Sequence, residues 1–444
     1  MASARLAYIA HRLRTTFWLV PGLMTAAAAA AAVGGVALDR TRFAEGLAAR
    51  IPAAEINIEG ARLILSTIAG ATITVASLVF SLTFVALTLI SQQLGPRLVL
   101  IVMRDRVTQV VLGTFVATFV YSLLVLRVIG TDDSPDFVPH LSVTFAIMAA
   151  FASFALVIYF VHHLAGAIQA DMVIYEMGRE LDDAIAAIFG SDRAATGAVP
   201  EDVEPPGLKR LIRSEAAGYV QALEVDEAVA VAHRSDCLIR LLVRPGHFVG
   251  RGEVIAAVSG LTREGADVDA AVRSLVVLGP QRTPAQDLEF RIDGLAEIAM
   301  RALSPGINDP NTAIASIDRL GNALRRALEG EPPDPTVRDA DGRPRVLLHP
   351  HSFRDLLDAS FRGIRQAGQG KPAILIRLAE ALIRLADRAV RDEDRDAIRR
   401  HIEVIERAAA RLTEEPDDRE DVERRLQALR TAIAAGPSQP PGKS

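Results

Sequence analysis

The residues best suited to chemistry lie in two short motifs in the C-terminal half of the chain. One motif covers residues 281–290 (QRTPAQDLEF) and the other covers residues 301–312 (RALSPGINDPNT). Carboxylates, guanidinium groups and an amide can together bind an ion or a charged partner if the fold brings them close. The candidate residues of this polar corner are Arg282, Asp287, Glu289, Arg301, Asn308 and Asp309.

The same two motifs also have a purely structural interpretation. Thr283, followed by Pro284 and Gln286, predicts a capping box at the start of a helix. Asp309 before Pro310 predicts the cap of the next helix, so that SPGINDP forms a corner between two helices. Both interpretations stay open at this point, because only converging side chains would support a binding site.

A second candidate feature is a stripe of small polar residues in the segment between Arg62 and Arg97, which contains no charged residue. Their spacings, mostly of three and four, place them on one helix face at about 100° per residue. In lipid, such a stripe either packs against another helix or lines a water-filled path, where hydroxyls replace part of an ion's hydration shell. With Gly70 among them, its members are Ser66, Thr74, Ser77, Ser81, Thr88 and Ser91.

Other reactive chemistry has little support in the sequence. His349 and His351 lie in a loop with no nearby carboxylate in the sequence, which falls short of the three or four ligands of a zinc site. We therefore expect no metal and no cofactor. Walker, GxGxxG, GxSxG and HExxH motifs are absent, so we expect no enzymatic activity. Cys237 is the single cysteine, which excludes an intrachain disulfide.

The elements that hold these residues begin with four apolar segments. Half of the 444 residues are hydrophobic, and the net charge of −5 comes with almost no lysine, so nucleic acid is not an expected partner. Each segment is long enough to cross a bilayer, so lipid contact is expected. The predicted spans are Thr16–Leu38, Leu63–Ile90, Val107–Ile129 and Leu141 to about Leu164.

Arginines near the ends of the spans predict the orientation. Lys and Arg are enriched in cytoplasmic loops of membrane proteins. Arginines precede the first span and lie between the second and third, whereas the loop after the third span carries only acidic charges. We expect a multi-pass membrane protein with both termini in the cytoplasm. Arg40, Arg42 and Arg50, after the first span, oppose this prediction but are accompanied by glutamates.

The rest of the chain predicts a cytoplasmic α+β region. Its predicted parts are a helical extension and linker (166–207), a small β module (208–262), a helical domain (263–435) and a disordered tail (436–444), after the membrane domain of residues 1–165. The turn VRPGHFVGRGE resembles lipoyl and biotinyl carrier domains and related barrel-sandwich modules. No lysine lies on a suitable hairpin, so we expect a structural module rather than a carrier.

Four stretches together resemble a family of bacterial predicted membrane proteins, the domain of unknown function family 2254. They are VASLVFSLTFVALTLISQQLGPR, the VRPGHFVGRGE turn, RTPAQDLEF and RALSPGINDPNTA. The chain differs from similar sequences at Arg291, where glycine is common, and at Asn311, where an aromatic residue is common. The resemblance implies a multi-helix protein of the bacterial inner membrane with a cytoplasmic domain, and it implies no established activity.

Two functional hypotheses follow. The first is an oligomeric, channel-like or transport-related membrane protein that is gated by its cytoplasmic domain. It requires several copies, because four helices enclose little space, and an ion as a possible ligand. The alternative is a membrane-anchored scaffold or envelope-stress protein that binds a protein partner through the cytoplasmic domain. The sequence does not decide between them.

Overall fold

The computed structural model describes residues 17–41, 56–93, 95, 105–130, 137–167, 169–190, 208–261, 266–412 and 415–435. The chain forms two compact units, Ala2–Met172 and Val173–Ser444. The arginines before the first span, most of the charged loops, the linker and the tail predicted at residues 436–444 lie outside the described residues.

The N-terminal unit contains four helices long and apolar enough to span a membrane, as predicted. They are α1 (Leu19–Asp39), α2 (Ile58–Gln93), α3 (Arg106–Leu126) and α4 (His140–Ala167). With 36 residues, α2 is about 54 Å long, well beyond a hydrocarbon core of about 30 Å. The third helix ends at Leu126, before the predicted Ile129.

Helix α3 is the centre of the N-terminal unit. Half of the residues in the 18-residue apolar stretch of α3 are buried. The corresponding shares are 17%, 28% and 22% for α1, α2 and α4. Helix α2 packs on its neighbours through residues spaced by three and four, as in a coiled-coil seam. These buried residues are Ala61, Leu65, Ala69, Thr72, Ala76, Val79, Thr83, Ala86 and Ile90.

The ends of the N-terminal helices are joined by polar contacts. The Asp39 carboxylate accepts hydrogen bonds from the amides of Leu141 and Ser142, at 2.9 and 3.0 Å, and so caps α4. Asp105 caps α3, and its Oδ2 lies 3.0 Å from Nε2 of His163 at the far end of α4. Each contact joins two helix ends, which fixes neighbouring helices in antiparallel directions.

The C-terminal unit combines helices with two small sheets. Its first helix, α5 (Ala170–Phe189), buries an apolar face, as the amphipathic pattern predicts. The following elements are β1 (Leu208–Arg213), β2 (Gly218–Leu223), α6 (Val225–Arg234), β3 (Leu238–Leu241), β4 (Phe248–Val249), β5 (Val254–Leu261), α7 (Ala266–Ser274) and β6 (Val276–Gly279).

The two sheets share one hydrophobic core, but their strands do not come from one continuous stretch of sequence. The strand orders are β1-β5-β3-β8-β7 and β4-β2-β6, with β7 (Thr336–Arg338) and β8 (Pro344–Leu347) coming from far along the chain. Strand β8 pairs in parallel with β3, where Ile239 lies opposite Val346. Three strands of the sheets therefore lie beyond residue 262, in a region that the sequence predicted to be helical.

The remaining helices are α8 (Leu288–Ala302), α9 (Pro310–Glu329), α10 (Phe353–Ala367), α11 (Pro372–Ala386), α12 (Asp392–Leu412) and α13 (Pro416–Ala435). The predicted start of α8 at Thr283 is wrong. Asp287 is the cap, and its side chain accepts a hydrogen bond from the Phe290 amide. Gln286 instead contacts the backbone at the end of β2, where it accepts from the Leu223 amide at 2.9 Å. The cap of α9 at Asp309 is confirmed.

Candidate functional site

A close approach between a turn and a helix start defines the candidate site. The turn after β3 carries Arg244, Pro245 and Gly246, and the helix start is Asp287 at the cap of α8. Gly246 has a φ of +95°, and a methyl group on it would overlap the Asp287 carboxylate. A side chain at this position would therefore be excluded by both its backbone conformation and its neighbour.

Arg282 holds the start of α8 through two carboxylates. Its Nε and Nη2 donate to the two oxygens of Asp287 at 2.7 and 2.9 Å, and its Nη1 donates to Asp293 at 2.6 Å. Such paired contacts orient a carboxylate more strictly than a single bond does. Asp287 is almost fully buried, and the bonds from this arginine and from the helix amide that it caps satisfy its carboxylate oxygens.

Arg244 joins the first turns of two helices. Its Nη2 donates to Oε1 of Glu289 in α8 at 2.6 Å, and its Nη1 lies 3.4 Å from Oδ2 of Asp355 in α10. Nδ1 of His351 lies 3.3 Å from the same Glu289 oxygen. The side chains of Arg244, Glu289 and His351 are 13%, 25% and 9% exposed. We call Arg244, Arg282, Asp287, Glu289 and His351 the polar centre.

The charges of the polar centre shift the titration of Glu289 and of the neighbouring His247. Contact with His351 and the charge of Arg244 together lower the pKa of Glu289 to about 2, against the opposing effect of burial. Burial lowers the pKa of the neighbouring His247, and the Arg244 charge adds to this effect. Glu289 is consequently ionised and His247 neutral at pH 7.

The predicted polar corner is divided between two places. Arg282, Asp287 and Glu289 belong to the polar centre, whereas Arg301 lies at the other end of α8, about 18 Å from Glu289 along the helix, where it pairs with Glu297. Two of its other predicted members act in capping and turn formation. The Asp309 carboxylate accepts from the amides of Asn311 and Thr312. Asn308 adopts a left-handed conformation with a φ of +50°, and its Oδ1 accepts from Lys371.

Sequence reasoning missed several members of the site. Arg244, His247, His351 and Asp355 come from other parts of the chain, and the loop of His349 and His351 by itself predicts no site. The carboxylate that His351 contacts belongs to Glu289, 62 residues away. The VRPGHF motif can be recognised in the sequence, but it predicts only a turn between β strands.

The stripe of α2 lies on the outer surface of the N-terminal unit. Ser66, Gly70, Thr74, Ser77, Ser81 and Thr88 are exposed, and Ser91 is half-buried. At about 100° per residue, their face is rotated roughly 140° from the buried face of α2. Thr74 and Thr88 each donate to the carbonyl four residues before, which leaves their oxygens able to accept a further bond.

The hydroxyls of α3 and α4 lie inside the same unit instead. Thr118 and Ser153 are buried with their hydroxyl oxygens 3.3 Å apart, and the Tyr121 hydroxyl lies 3.3 Å from the Ser142 carbonyl oxygen. Large apolar side chains, among them Phe115 and Phe160, fill another part of the interior. These hydroxyls therefore serve packing between helices of one chain.

Four apolar spans followed by an α+β unit with an ionic junction define a multi-pass membrane protein of mixed architecture. The chain belongs to the family of predicted membrane proteins DUF2254, which it matches over residues 14–384. It is similar to uncharacterized proteins of Mycobacterium tuberculosis H37Rv and Mycobacterium bovis. Each is 31% identical over 365 residues, which cover 81% of this chain and 70% of the relative. No solved structure gives a significant match.

Proposed function

We propose that this protein is an oligomeric, channel-like protein of the bacterial inner membrane, in which α2 borders a path between copies of the chain. The observation that carries the proposal is the outward position of the hydroxyl stripe. Lipid tails cannot hydrogen-bond to serine hydroxyls, so a row of them on an outer face is best accommodated by water or by another helix. The orientation with both termini in the cytoplasm belongs to the same proposal.

The interior of a single chain is less suited to an ion path than the stripe of α2. The hydroxyls of Thr118, Ser153 and Tyr121 are engaged in contacts between α3 and α4, and large apolar side chains fill the space around Phe115. The four helices of one chain enclose little space, whereas several α2 helices around a symmetry axis can enclose a wider path for a hydrated ion. The stripe carries no charge, which suits a passive path more than a proton relay.

The C-terminal unit is proposed to control the path. Its sheets, proposed to form a barrel-sandwich-like module, are tied to α8 and α10 by Arg244, and its later helices are proposed to form a bundle. The carboxylates of the polar centre are bound to arginines, an arrangement that favours a structural junction over an enzyme.

Conductance of the purified protein in planar bilayers tests the proposal. Ser77→Leu and Ser81→Leu remove hydroxyls from the stripe, and we expect each to reduce the unitary current or abolish it. Leu78→Val is the matched control, because Leu78 is exposed on α2 about 100° away from Ser77. Wild-type protein that passes no ion under any gradient or voltage would overturn the channel proposal.

The scaffold alternative is favoured by one observation. Phe248 is 61% exposed, and its ring packs edge-on against Tyr219 at a centroid distance of 5.2 Å. Exposed aromatic pairs are frequent in protein interfaces. The scaffold hypothesis replaces the channel hypothesis if two results are obtained. The purified protein shows no conductance in planar bilayers, and Phe248→Ser abolishes capture of a defined protein partner by the full-length chain.

A further inference from the structure

The loop between α8 and α9, residues 304–308, exposes an apolar side chain for which the proposed function has no use. Ile307 is 44% exposed, next to the exposed Gly306. The amides of Ile307 and Asn308 donate to the Ser304 carbonyl at 3.2 and 2.9 Å, and Lys371 donates to the Asn308 side chain. These bonds close the loop into a tight turn with Ile307 on its outside. We call it the α8–α9 loop.

Contacts between α5 and α8 establish where this loop lies. Glu180 of α5 pairs with Arg291 of α8 at 3.2 Å, and Cε of Met177 lies against Gly294. A step of three residues back along α5 therefore corresponds to three residues forward along α8, so the two helices run in opposite directions. About seven residues further, this register brings the last turn of α8 level with the first turn of α5.

Helix α9 runs alongside α5 in the same direction. Asn322 donates to Asp182 at 2.8 Å, and farther along the Glu331 amide donates to the Phe189 carbonyl at 2.9 Å. This register places the first residue of α9 level with the first residue of α5. The α8–α9 loop joins the ends of α8 and α9 that lie at this level. It therefore lies at the end of the C-terminal unit where the chain enters from α4.

The start of α5 follows closely on a membrane span. Helix α4 has 28 residues and a length of about 42 Å, which equals the thickness of a bilayer with its headgroups. Its last residue, Ala167, precedes the first residue of α5, Ala170, by three positions, so at most about 11 Å separate them. Lipid headgroups are therefore within reach of the end of the unit that carries the α8–α9 loop.

The side chains at this end suit a lipid surface. Met172 and Tyr175, in the first two turns of α5, are exposed, as is Ile307. Aliphatic side chains bury themselves at the boundary between headgroups and acyl chains, and tyrosine is enriched at the headgroup level. Lys371 beside the loop keeps ammonium hydrogens that can bind a lipid phosphate, since the Asn308 oxygen uses only one of them.

We propose that the α8–α9 loop rests on the phospholipid surface, with Ile307 inserted below the headgroups and Lys371 against lipid phosphates. One isoleucine is too little to hold a soluble domain on a membrane, but this unit is tethered to a span, so a weak contact is sufficient. The loop would give the C-terminal unit a second attachment to the bilayer beside α5. The proposal is independent of whether α2 conducts.

Quenching of a fluorescent label by lipids tests the proposal. In a Cys237→Ala background, Ile307→Cys is labelled with bimane, and the full-length protein is reconstituted into phosphatidylcholine and phosphatidylglycerol vesicles that contain a lipid with a nitroxide near its headgroup. Val390→Cys is the matched control, because Val390 is 69% exposed and follows α11, whose 15 residues carry it about 22 Å away from Lys371.

We expect the nitroxide lipid to quench the label on Ile307→Cys about 2-fold or more as strongly as the label on Val390→Cys. Melting temperatures of both variants close to that of the Cys237→Ala parent confirm that the fold is retained. Quenching at Ile307→Cys no stronger than at Val390→Cys would overturn the proposal. A label on Ile307→Cys that neither the nitroxide lipid nor aqueous iodide quenches would also overturn it, because protein would then cover the loop. Neither result depends on conductance.

Discussion

Glu289→Gln removes the charge that Arg244 and His351 share while keeping the side chain's shape. The pKa of Glu289 lies at about 2, against an ordinary value of 4.5, which corresponds to about 3 kcal/mol in favour of the ionised form in the folded protein. Because the side chain is a quarter exposed, solvent reduces this figure. We expect the variant to lose about 2 kcal/mol of unfolding free energy at pH 7, or about 4 to 8 °C in melting temperature.

The pH dependence of this loss follows from the direction of the shift. A carboxyl whose pKa is lowered on folding contributes its full stabilisation above its unfolded pKa of about 4.5, and the contribution disappears as the pH falls towards 2. The difference in melting temperature between wild type and Glu289→Gln should therefore narrow steadily below pH 4.5. Wild type loses stability in this range, and the variant loses less.

The measurement is a series of thermal unfolding curves of the full-length protein in detergent, from pH 7 to pH 3. Glu403→Gln is the control, because Glu403 forms an exposed pair with Arg407 on one helix and its loss should cost less than about 0.5 kcal/mol. The reasoning is refuted if Glu289→Gln melts like the wild type at pH 7, or if its deficit is the same at every pH.

Substitutions at three further positions test individual features by the same unfolding assay at pH 7. Gly246→Ala should lower the free energy of unfolding by about 1 to 3 kcal/mol, because the methyl group would meet the Asp287 carboxylate and φ is positive. An unchanged free energy of unfolding would contradict the close approach of Gly246 to Asp287. Asp309→Ala should cost about 1 kcal/mol through loss of the α9 cap, and Asp309→Ser should restore much of it. Thr283→Ala should be nearly neutral, because the helix begins after Asp287; a loss as large as that of Asp309→Ala would support the earlier helix start.

Local patterns in the sequence predicted the local parts of this fold. The lack of charge between Arg62 and Arg97 is sufficient to identify α2, and the Asp309-Pro310 pair is sufficient to start α9. Thr283 failed as a cap because two acceptable caps lie within five residues, and the choice depends on Arg282 binding Asp287 and on Gln286 contacting β2. Those contacts are not contained in capping rules.

The polar centre could not be predicted because it joins residues that are distant in sequence. Strand β8 pairs with β3 across more than 100 residues, and this pairing brings the loop containing His351 beside α8. Periodicity indicates that a segment is a strand or a helix, but it does not indicate its partner. The outward direction of the stripe could not be predicted for the same reason. The spacing shows that Ser77 and Ser81 share a helix face, but it does not show what that face contacts.

Cysteine crosslinking between copies of the chain tests the placement of α2 most directly. Cys237 is the single natural cysteine, so a Cys237→Ala background allows Ser77→Cys and Leu78→Cys to be compared as neighbouring, exposed positions about 100° apart on α2. With a mild oxidant in bilayers, we expect a disulfide-linked dimer from Ser77→Cys and little from Leu78→Cys. Efficient crosslinking at Leu78 with none at Ser77 would show that the stripe faces lipid and would contradict the account.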